Sequence, residues 1–255
     1  MKKLITLLFV SVMAITTYAT HLMGGQIVAT NIGGYDYQIE LTAYRDTIGV
    51  PMGLVADFSV FEQDTSGGWI SLFTSSVNYD TTSGGLMPSV ITVYGVEVYT
   101  FIDTITMPGD GYYAISWDEC CRNGAIINMS NPLSESMKLS TFLTVDSLNP
   151  NSSPSYTTPP VAYLPAHTLW QYNPLPFDPD GDSLAWHLDV PLSINGTVSG
   201  YEYLSDTTYS DSSAVFSLDS VTGALTWSAN MVGHFVASFI IEEFRNGVNI
   251  GSMRR

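Results

Sequence analysis

The chain has 255 residues, of which 24 are acidic and only 8 are Lys or Arg, so its formal net charge at pH 7 is −16. A surface this acidic repels nucleic acid and anionic lipid and attracts cations, which excludes nucleic-acid binding. Charged residues make up only 13% of the chain, while Ser, Thr, Gly and Tyr are abundant, a composition typical of secreted β-sandwiches.

Residues 1–20 have the layout of a secretory signal peptide. Lys2 and Lys3 form a short basic start, an apolar run extends from Leu4 to Ile15, and Ala19 lies at the expected cleavage site. The apolar run is too short for a membrane anchor, and no basic segment follows it. We therefore expect a secreted or outer-cell-surface location, with no transmembrane segment after signal removal.

Period-two alternation of apolar and polar residues predicts an N-terminal β-rich domain over residues 21–147. The runs that carry this alternation are Tyr35–Ala43, Val90–Met107, Tyr113–Trp117 and Leu139–Val145. The second of these runs reads as two strands or as one bent strand, with Gly95 as a candidate bulge. No convincing amphipathic helix follows the signal peptide.

The two cysteines of the chain, Cys120 and Cys121, are adjacent. A disulfide framework needs well-separated pairs, so this pair does not form one. A bridge between neighbours is strained, because a trans peptide holds the Cα atoms about 3.8 Å apart. Export to an oxidising compartment nevertheless favours a Cys120–Cys121 disulfide. Two buried thiols or a metal pair are the alternatives, although a zinc site needs more ligands.

The composition changes at residues 146–160, where the chain is polar and punctuated by prolines. We interpret residues 148–160 as a linker, because patterned strands of domain length lie on both sides. The alternative is a long loop within one sandwich.

Residues 161–255 again show short alternating strands. The runs are Leu184–Val190, Phe216–Leu218, Ala224–Trp227 and Phe235–Phe244. The last run is apolar on both faces, which indicates a central, covered strand. This pattern predicts a cadherin-like or immunoglobulin-like β-sandwich. The predicted fold class is therefore all-β, with two β-sandwich domains.

An acidic loop precedes the first of these strands, with Asp178, Asp180 and Asp182 alternating around a Pro and a Gly. Carboxylates this close repel one another unless a cation or hydrogen-bond donors neutralise them. Ca²⁺ suits such a loop, with Glu243 as the fourth ligand and Glu242 or a neighbouring domain as alternatives. An EF-hand is excluded, because the later glutamate and flanking helices are missing. A metal-free turn, in which Asp178 and Asp182 accept backbone N–H bonds, is equally compatible with the sequence.

The sequence offers little support for catalysis. Glu242 and Glu243 are neighbours on a strand, so they point to opposite faces and cannot be the carboxylate pair of a glycosidase. Neither a Gly-x-Ser-x-Gly nor a His-Glu-x-x-His motif is present. We predict that the chain is not an enzyme.

Two tryptophans are candidates for ligand binding, and two arginines are candidates for buried ion pairs. Trp69 and Trp170 lie in less regular stretches and are candidates for stacking against a saccharide. Arg45 and Arg122 are scarce cations that we expect in buried ion pairs with Asp46 or another acid.

The acidic loop, together with Phe216–Asp219 and Thr222–Leu225, resembles cadherin-like and immunoglobulin-like repeats of bacterial surface proteins. A longer ordered series comprises His21–Gly25, Leu41–Asp46, Ser116–Asn123, Asn151–Pro154, Pro159–Pro160, Glu243–Gly247 and Gly251–Arg255. This series is similar to the N-terminal region of large secreted proteins of Bacteroidetes, of the gliding-motility-associated or polycystic-kidney-disease-domain type. The resemblance implies type IX secretion, attachment at the cell surface and a role in adhesion or as a scaffold, with no catalytic residues. Further repeats and a sorting domain are not recognisable, so we expect a fragment or a short relative.

We therefore expect a secreted, non-catalytic surface module, adhesive or structural, with Ca²⁺ as the candidate cofactor. The expected partners are a cell-surface protein, a polysaccharide or adjacent repeat domains. The alternatives are a carbohydrate-binding module and, less favoured, a secreted glycoside hydrolase.

Overall fold

The computed structural model describes residues 21–84, 88–91 and 93–255. The predicted signal peptide lies outside these residues and stays a prediction. The regular secondary structure of the described chain consists almost entirely of strands in antiparallel sheets, which confirms the predicted all-β, sandwich-like fold class. Helical structure within it is limited to the short helix α1 (Thr81–Gly84) and a 3₁₀ turn at Pro132–Ser134.

The strands fall into two groups along the chain. The first group is β1 (Leu22–Gly33), β2 (Asp36–Asp46), β3 (Val55–Gln63), β4 (Trp69–Asn78), β5 (Ser89–Ile91), β6 (Val96–Thr106), β7 (Gly111–Glu119) and β8 (Met137–Val145). The second group is β9 (Ser155–Tyr156), β10 (Trp170–Tyr172), β11 (Pro176–Phe177), β12 (Ser183–Asp189), β13 (Leu192–Ser193), β14 (Gly196–Thr197), β15 (Ser217–Leu218), β16 (Leu225–Trp227), β17 (Ser238–Arg245) and β18 (Val248–Arg254).

The first group forms a sandwich. A sheet of order β1-β2-β6-β5 packs against β4-β3-β7-β8, and the two inner faces share one hydrophobic core. The predicted alternation in β2 is confirmed, because Tyr37, Ile39, Leu41 and Ala43 are all fully buried. Gly95 lies in the turn between β5 and β6, with φ +60°, so it ends a hairpin rather than forming a bulge.

The second group builds a second layered unit. Strands β12, β17 and β18 cover the small sheet β10-β16-β15, and a separate core of buried aromatic and aliphatic side chains lies between them. The core includes Trp186, Leu225, Trp227, Phe239 and Ile241. The predicted central strand is β17, which pairs with β12 on one side and β18 on the other. It begins at Ser238, three residues later than the sequence pattern indicated.

One sheet joins the two units. Strand β18 pairs with β8 of the first sandwich, with Gly251 opposite Leu143 and Met253 opposite Thr141. A nine-stranded sheet therefore crosses the predicted domain boundary. The residues of each hydrophobic core, in contrast, come mainly from one of the two units. The predicted division into domains stays a prediction, but the strands on its two sides share backbone hydrogen bonds.

The predicted linker, residues 148–160, is packed against the first sandwich over part of its length. Ser152 and Ser153 are buried, and their hydroxyl oxygens accept hydrogen bonds from the backbone N–H groups of Asn31 and Ala29 in β1. A segment that satisfies buried strand donors cannot serve as a free spacer. The segment therefore has a hydrogen-bonding role at the junction, and its interpretation as a linker between two domains stays a prediction.

Candidate metal centre

The acidic loop is a tight turn between β11 and β12. Oδ1 of Asp178 accepts hydrogen bonds from the backbone N–H groups of Asp180 at 3.0 Å and Asp182 at 2.9 Å. Gly181 adopts φ +81°, a conformation that favours glycine. These bonds hold the loop closed and bring its three carboxyl groups to one side.

Glu243 reaches the loop from the buried face of β17. Because side chains alternate along a strand, Glu243 shares its face with the core residues Phe239 and Ile241, and it is completely buried. Its cross-strand neighbour in β18 is Gly251. A Cβ atom at Gly251 would lie 2.7 Å from Oε2 of Glu243, so the glycine leaves the space that the carboxyl group occupies.

The four predicted ligands come together in the fold. Asp178, Asp180, Asp182 and Glu243 each offer an oxygen atom, and these atoms all lie within 4.8 Å of one another. Oδ2 of Asp178 and Oε1 of Glu243 are buried, and neither atom accepts a hydrogen bond from a donor in the described part of the chain. Burial raises the pKa of Glu243 to about 8, and the Asp178 and Asp182 carboxylates add to the rise while Asn151 opposes it. Without a cation, Glu243 therefore keeps its proton up to about pH 8, and it can share that proton with Asp178.

Three residues of the site were not predicted. Asn151 donates a hydrogen bond from Nδ2 to Oε2 of Glu243, and the backbone N–H of Ser152 donates to Oδ2 of Asp180 at 2.6 Å. Arg245 binds Asp182 through Nε at 3.0 Å and Nη2 at 2.5 Å. All three lie in segments that were noted in the sequence, but their contacts join positions far apart along the chain.

Arg245 also fixes the predicted linker. Its Nη1 donates to the carbonyl oxygens of Asn149 and Pro150, and its Nη2 donates to Oδ1 of Asn151. The metal-free interpretation expected Asp178 and Asp182 to accept backbone N–H bonds; Asp178 does so, whereas the partner of Asp182 is this guanidinium. Among the described residues, Arg245 lies within 4.0 Å of two carboxylates, those of Asp180 and Asp182, so its single positive charge balances only part of their negative charge.

The donor set fits Ca²⁺. All four candidate ligands are carboxyl oxygens, which a hard cation prefers, and a cation bound here would take the place of the proton that Glu243 otherwise holds. Bound Ca²⁺ would neutralise the carboxylates and replace the missing hydrogen-bond donors.

The cysteine pair lies directly after β7. The structure joins Cys120 and Cys121 in a disulfide, and the peptide bond between them is cis rather than trans as assumed from the sequence. The carbonyl oxygen of Cys121 accepts a hydrogen bond from the backbone N–H of Leu22, at the start of β1. The pair therefore lies where the first described strand meets the end of β7.

The two candidate stacking residues occupy different environments. Trp69 begins β4, is 42% exposed, and contacts Tyr112 and Phe142 at ring-centroid distances of 6.0 and 5.4 Å. Trp170 begins β10, is partly buried, and stacks on Tyr172 with an interplanar angle of 6°. Trp69 is the better placed of the two to receive a ligand from solvent.

Arg45 and Arg122 were both predicted to form buried ion pairs, and the described residues show such a pair for Arg45 but not for Arg122. Arg45 is buried in an ion pair, but its partner is Glu97 and not Asp46. Arg122 is also buried, yet no carboxylate of the described residues lies within 4.0 Å of it. Its Nε and Nη2 donate instead to the carbonyl oxygens of Ser136 and Leu192. Desolvation lowers the pKa of Arg122 to about 10.

Glu242 and Glu243 lie on opposite faces of β17, as the alternation predicts. The Glu242 side chain is 38% exposed and lies 3.8 Å from Nδ1 of His187, whereas Glu243 is fully buried. The two carboxyl groups therefore do not face a common space.

Comparison with known proteins finds no matching family model and no matching curated protein. In the part of the chain that the structure describes, every helix is too short to cross a bilayer. Functional assignment therefore depends on the geometry of the residues themselves.

Proposed function

We propose that this chain is a non-catalytic module of a secreted or cell-surface protein, adhesive or structural, in which Ca²⁺ fastens the second β-unit to the first. The observation that carries the proposal is the cluster of Asp178, Asp180, Asp182 and Glu243, with two buried carboxyl oxygens that accept no hydrogen bond from a donor in the described part of the chain.

The position of the cluster supports a fastening role. The acidic loop precedes β12 of the second unit, and Ser152, which donates to Asp180, also accepts from Asn31 in β1 of the first sandwich. A cation bound to the loop would strengthen the contacts that Ser152 makes with Asp180 and Asn31, because it would remove the repulsion between the carboxylates. All four candidate ligands belong to the second unit, so the cation would act on the first unit through Asn151 and Ser152, a role that suits a spacer or an adhesive surface protein.

The export signal, the adjacent cysteines and the acidic composition agree with an extracellular module. The resemblance to the N-terminal region of Bacteroidetes surface proteins supports the same assignment and suggests type IX secretion. The expected partners are a cell-surface protein, a polysaccharide or an adjacent repeat domain.

Thermal unfolding in calcium and in chelator tests this proposal. At calcium well above its Kd, the wild-type Tm should exceed that in EGTA by about 5 °C or more, since a ligand at 100 Kd stabilises the folded state by about 2.7 kcal/mol. Asp180→Asn should lose most of the shift. Glu242→Gln removes an acid from the outer face of the same strand and should keep the shift. An equal response of wild type and Asp180→Asn would contradict the proposal.

A carbohydrate-binding module is the second candidate, and the aromatic cluster around Trp69 favours it. Trp69, Tyr112 and Phe142 belong to three strands of one sheet and are all at least partly exposed. Aromatic rings on a sheet face offer apolar surface against which sugar rings can stack.

A further inference from the structure

Basic residues are concentrated around one cavity. Residues 21–255 contain six Lys and Arg residues against 24 acids, and four of the six line a cavity of about 480 Å³. These four are Arg122, Lys138, Arg254 and Arg255. No Asp or Glu among the described residues lines it. In so acidic a chain, a cavity lined by cations and by no carboxylate is a marked departure from the average surface.

The cavity lies between the two units. Strands β1 and β8 of the first sandwich contribute Gly24, Gly25, Met137 and Leu139 to its wall. The second unit contributes apolar side chains that include Leu204, Phe216, Trp227 and Phe235, together with the stacked pair Trp170 and Tyr172. The wall is mainly apolar, and its volume is within the range of small-molecule sites, about 300–1,000 Å³.

Two of the four cations already have an acidic neighbour. Arg254 forms an ion pair with Asp189. Lys138 lies opposite Asp118 in the pairing of β7 with β8; burial raises the pKa of the Asp118 carboxyl, and the charge of Lys138 opposes that rise. These two residues contribute positive potential that is partly balanced.

The other two cations form no ion pair with a described residue, although the Glu135 carboxylate is near enough to Arg122 to interact with its charge. Arg122 and Arg255 are 5% and 8% exposed, and neither has a carboxylate of the described chain within 4.0 Å. Arg255 donates from Nη2 to the carbonyl oxygen of Thr158 and lies over the ring of Tyr156, while its Nε and Nη1 have no acceptor. Burial of a cation without a counterion is costly, so an anion in the cavity would be stabilised.

We propose that this cavity binds an amphipathic carboxylate, a small molecule with one carboxylate group and an apolar body. The carboxylate would accept hydrogen bonds from Nε and Nη1 of Arg255, for which the described residues provide no acceptor, and the apolar body fits the aliphatic and aromatic wall. A neutral or cationic molecule of the same shape would leave the Arg255 guanidinium without a counterion.

The charge selectivity of the wild-type protein tests the proposal first. Decanoate, decan-1-ol and decylammonium share one chain length and differ in the charge of the head group. Titration of each, followed by the fluorescence of Trp170 and Trp227 and by calorimetry, should show decanoate binding at least about tenfold more tightly than decan-1-ol. Decylammonium should not bind at the site. Equal binding of decanoate and decan-1-ol, or no binding of decanoate at millimolar concentration, overturns the proposal.

Variants locate the site. Arg255→Gln should weaken decanoate binding at least about tenfold, Arg122→Gln should weaken it by a smaller factor, and both should leave decan-1-ol binding unchanged. Arg45→Gln, which removes a buried arginine from the other core, should leave both affinities unchanged in protein that circular dichroism shows to be folded. Ala237→Phe places a ring in the cavity and should abolish binding of both molecules. Unchanged decanoate binding in all three cavity variants refutes the assignment, and the result is independent of calcium.

Discussion

Asn151 and Glu243 are 92 positions apart in the chain, and Nδ2 of Asn151 donates a hydrogen bond to Oε2 of Glu243 at 3.0 Å. The same side chain accepts a bond from Arg245 through Oδ1, so its amide lies between a carboxylate and a guanidinium. Asn151 is buried, and its neighbour Ser152 is bound both to β1 and to Asp180. The segment that separates the two units in sequence therefore forms one wall of the acidic site.

Replacement of Asn151 by Ala should destabilise the protein by about 2–4 kcal/mol, because two buried hydrogen bonds to charged partners are lost. Urea unfolding with calcium present measures the change. Asn149→Ala is the matched control, since its exposed side chain bonds only to Asp146 and its loss should cost less than about 0.5 kcal/mol. Equal destabilisation by the two substitutions would show that Asn151 has no special role.

Gly251→Ala should destabilise the fold by about 1–3 kcal/mol, because the new Cβ atom would lie 2.7 Å from Glu243 Oε2 and 2.8 Å from the carbonyl oxygen of Phe142. Differential scanning calorimetry measures the loss. Gly109→Ala is the control, since a Cβ atom there meets nothing within 4 Å. A Tm for Gly251→Ala equal to that of the wild type would contradict the close packing of β18 against the site.

In EGTA, stability should fall as the pH rises from about 5 through 8. The pKa of Glu243 is raised from 4.5 to about 8 in the folded protein, so the folded state holds a proton that the unfolded state has released in this range. Its stabilising contribution is complete below about pH 4 and is lost as the pH passes the folded-state pKa, at up to about 1.4 kcal/mol per pH unit. Unfolding free energies at several pH values measure the slope.

Glu243→Gln is the control for this pH dependence, because it removes the titrating group and leaves the other acids in place. The variant should lose most of the slope between pH 5 and 8. A slope equal to that of the wild type would assign the effect to other groups.

Saccharide binding, if the second candidate function holds, should depend on Trp69 more than on Trp170. A glycan array with the wild-type protein identifies ligands, and Trp69→Ala should then weaken binding by about 1–3 kcal/mol, the magnitude expected for loss of one aromatic contact. Trp170→Ala serves as the comparison, because Trp170 is partly buried against Tyr172. An array without any bound saccharide removes this candidate.

Period-two alternation predicted the strands whose faces differ clearly in polarity. Tyr37, Ile39 and Leu41 are buried as expected, and Phe239 and Ile241 lie on the inner face of a central strand. The burial of Glu243 follows from the same alternation, since it lies two positions after Ile241. These features are local, so a single stretch of sequence contains enough information to predict them.

Strand β18 was missed although a strong signal precedes it. Asn246 and Gly247 both have positive φ, at 54° and 80°, and an Asn-Gly pair between alternating residues is a typical hairpin turn. The pairing of β18 with β8 could not be predicted, because it joins Gly251 to Leu143 across most of the second unit. That pairing is what places a shared sheet across the boundary predicted from composition.

Contacts between positions far apart in the sequence also limited the prediction of the acidic site. The three aspartates were evident because a loop holds them within five positions of one another, and Glu243 was selected as one of several acids. Asn151 and Arg245 were not assigned to the site, because only the register of β17 and the path of residues 149–152 bring them together. The partners of Arg45 and Arg122 likewise depend on the tertiary fold. Arg45 forms an ion pair with Glu97, whereas Arg122 donates to carbonyl oxygens.

Calorimetric titration of the protein with Ca²⁺ tests the central claim most directly. Wild type and Glu242→Gln should each bind about one ion per chain at the acidic site, while Glu243→Gln and Asp180→Asn should show at least about a tenfold loss of affinity, and Mg²⁺ should bind more weakly because the site offers irregular oxygen ligands. Failure of the wild-type protein to bind Ca²⁺ at millimolar concentration, or equal binding by Glu243→Gln and Glu242→Gln, would contradict the proposal that calcium fastens the two units at this site.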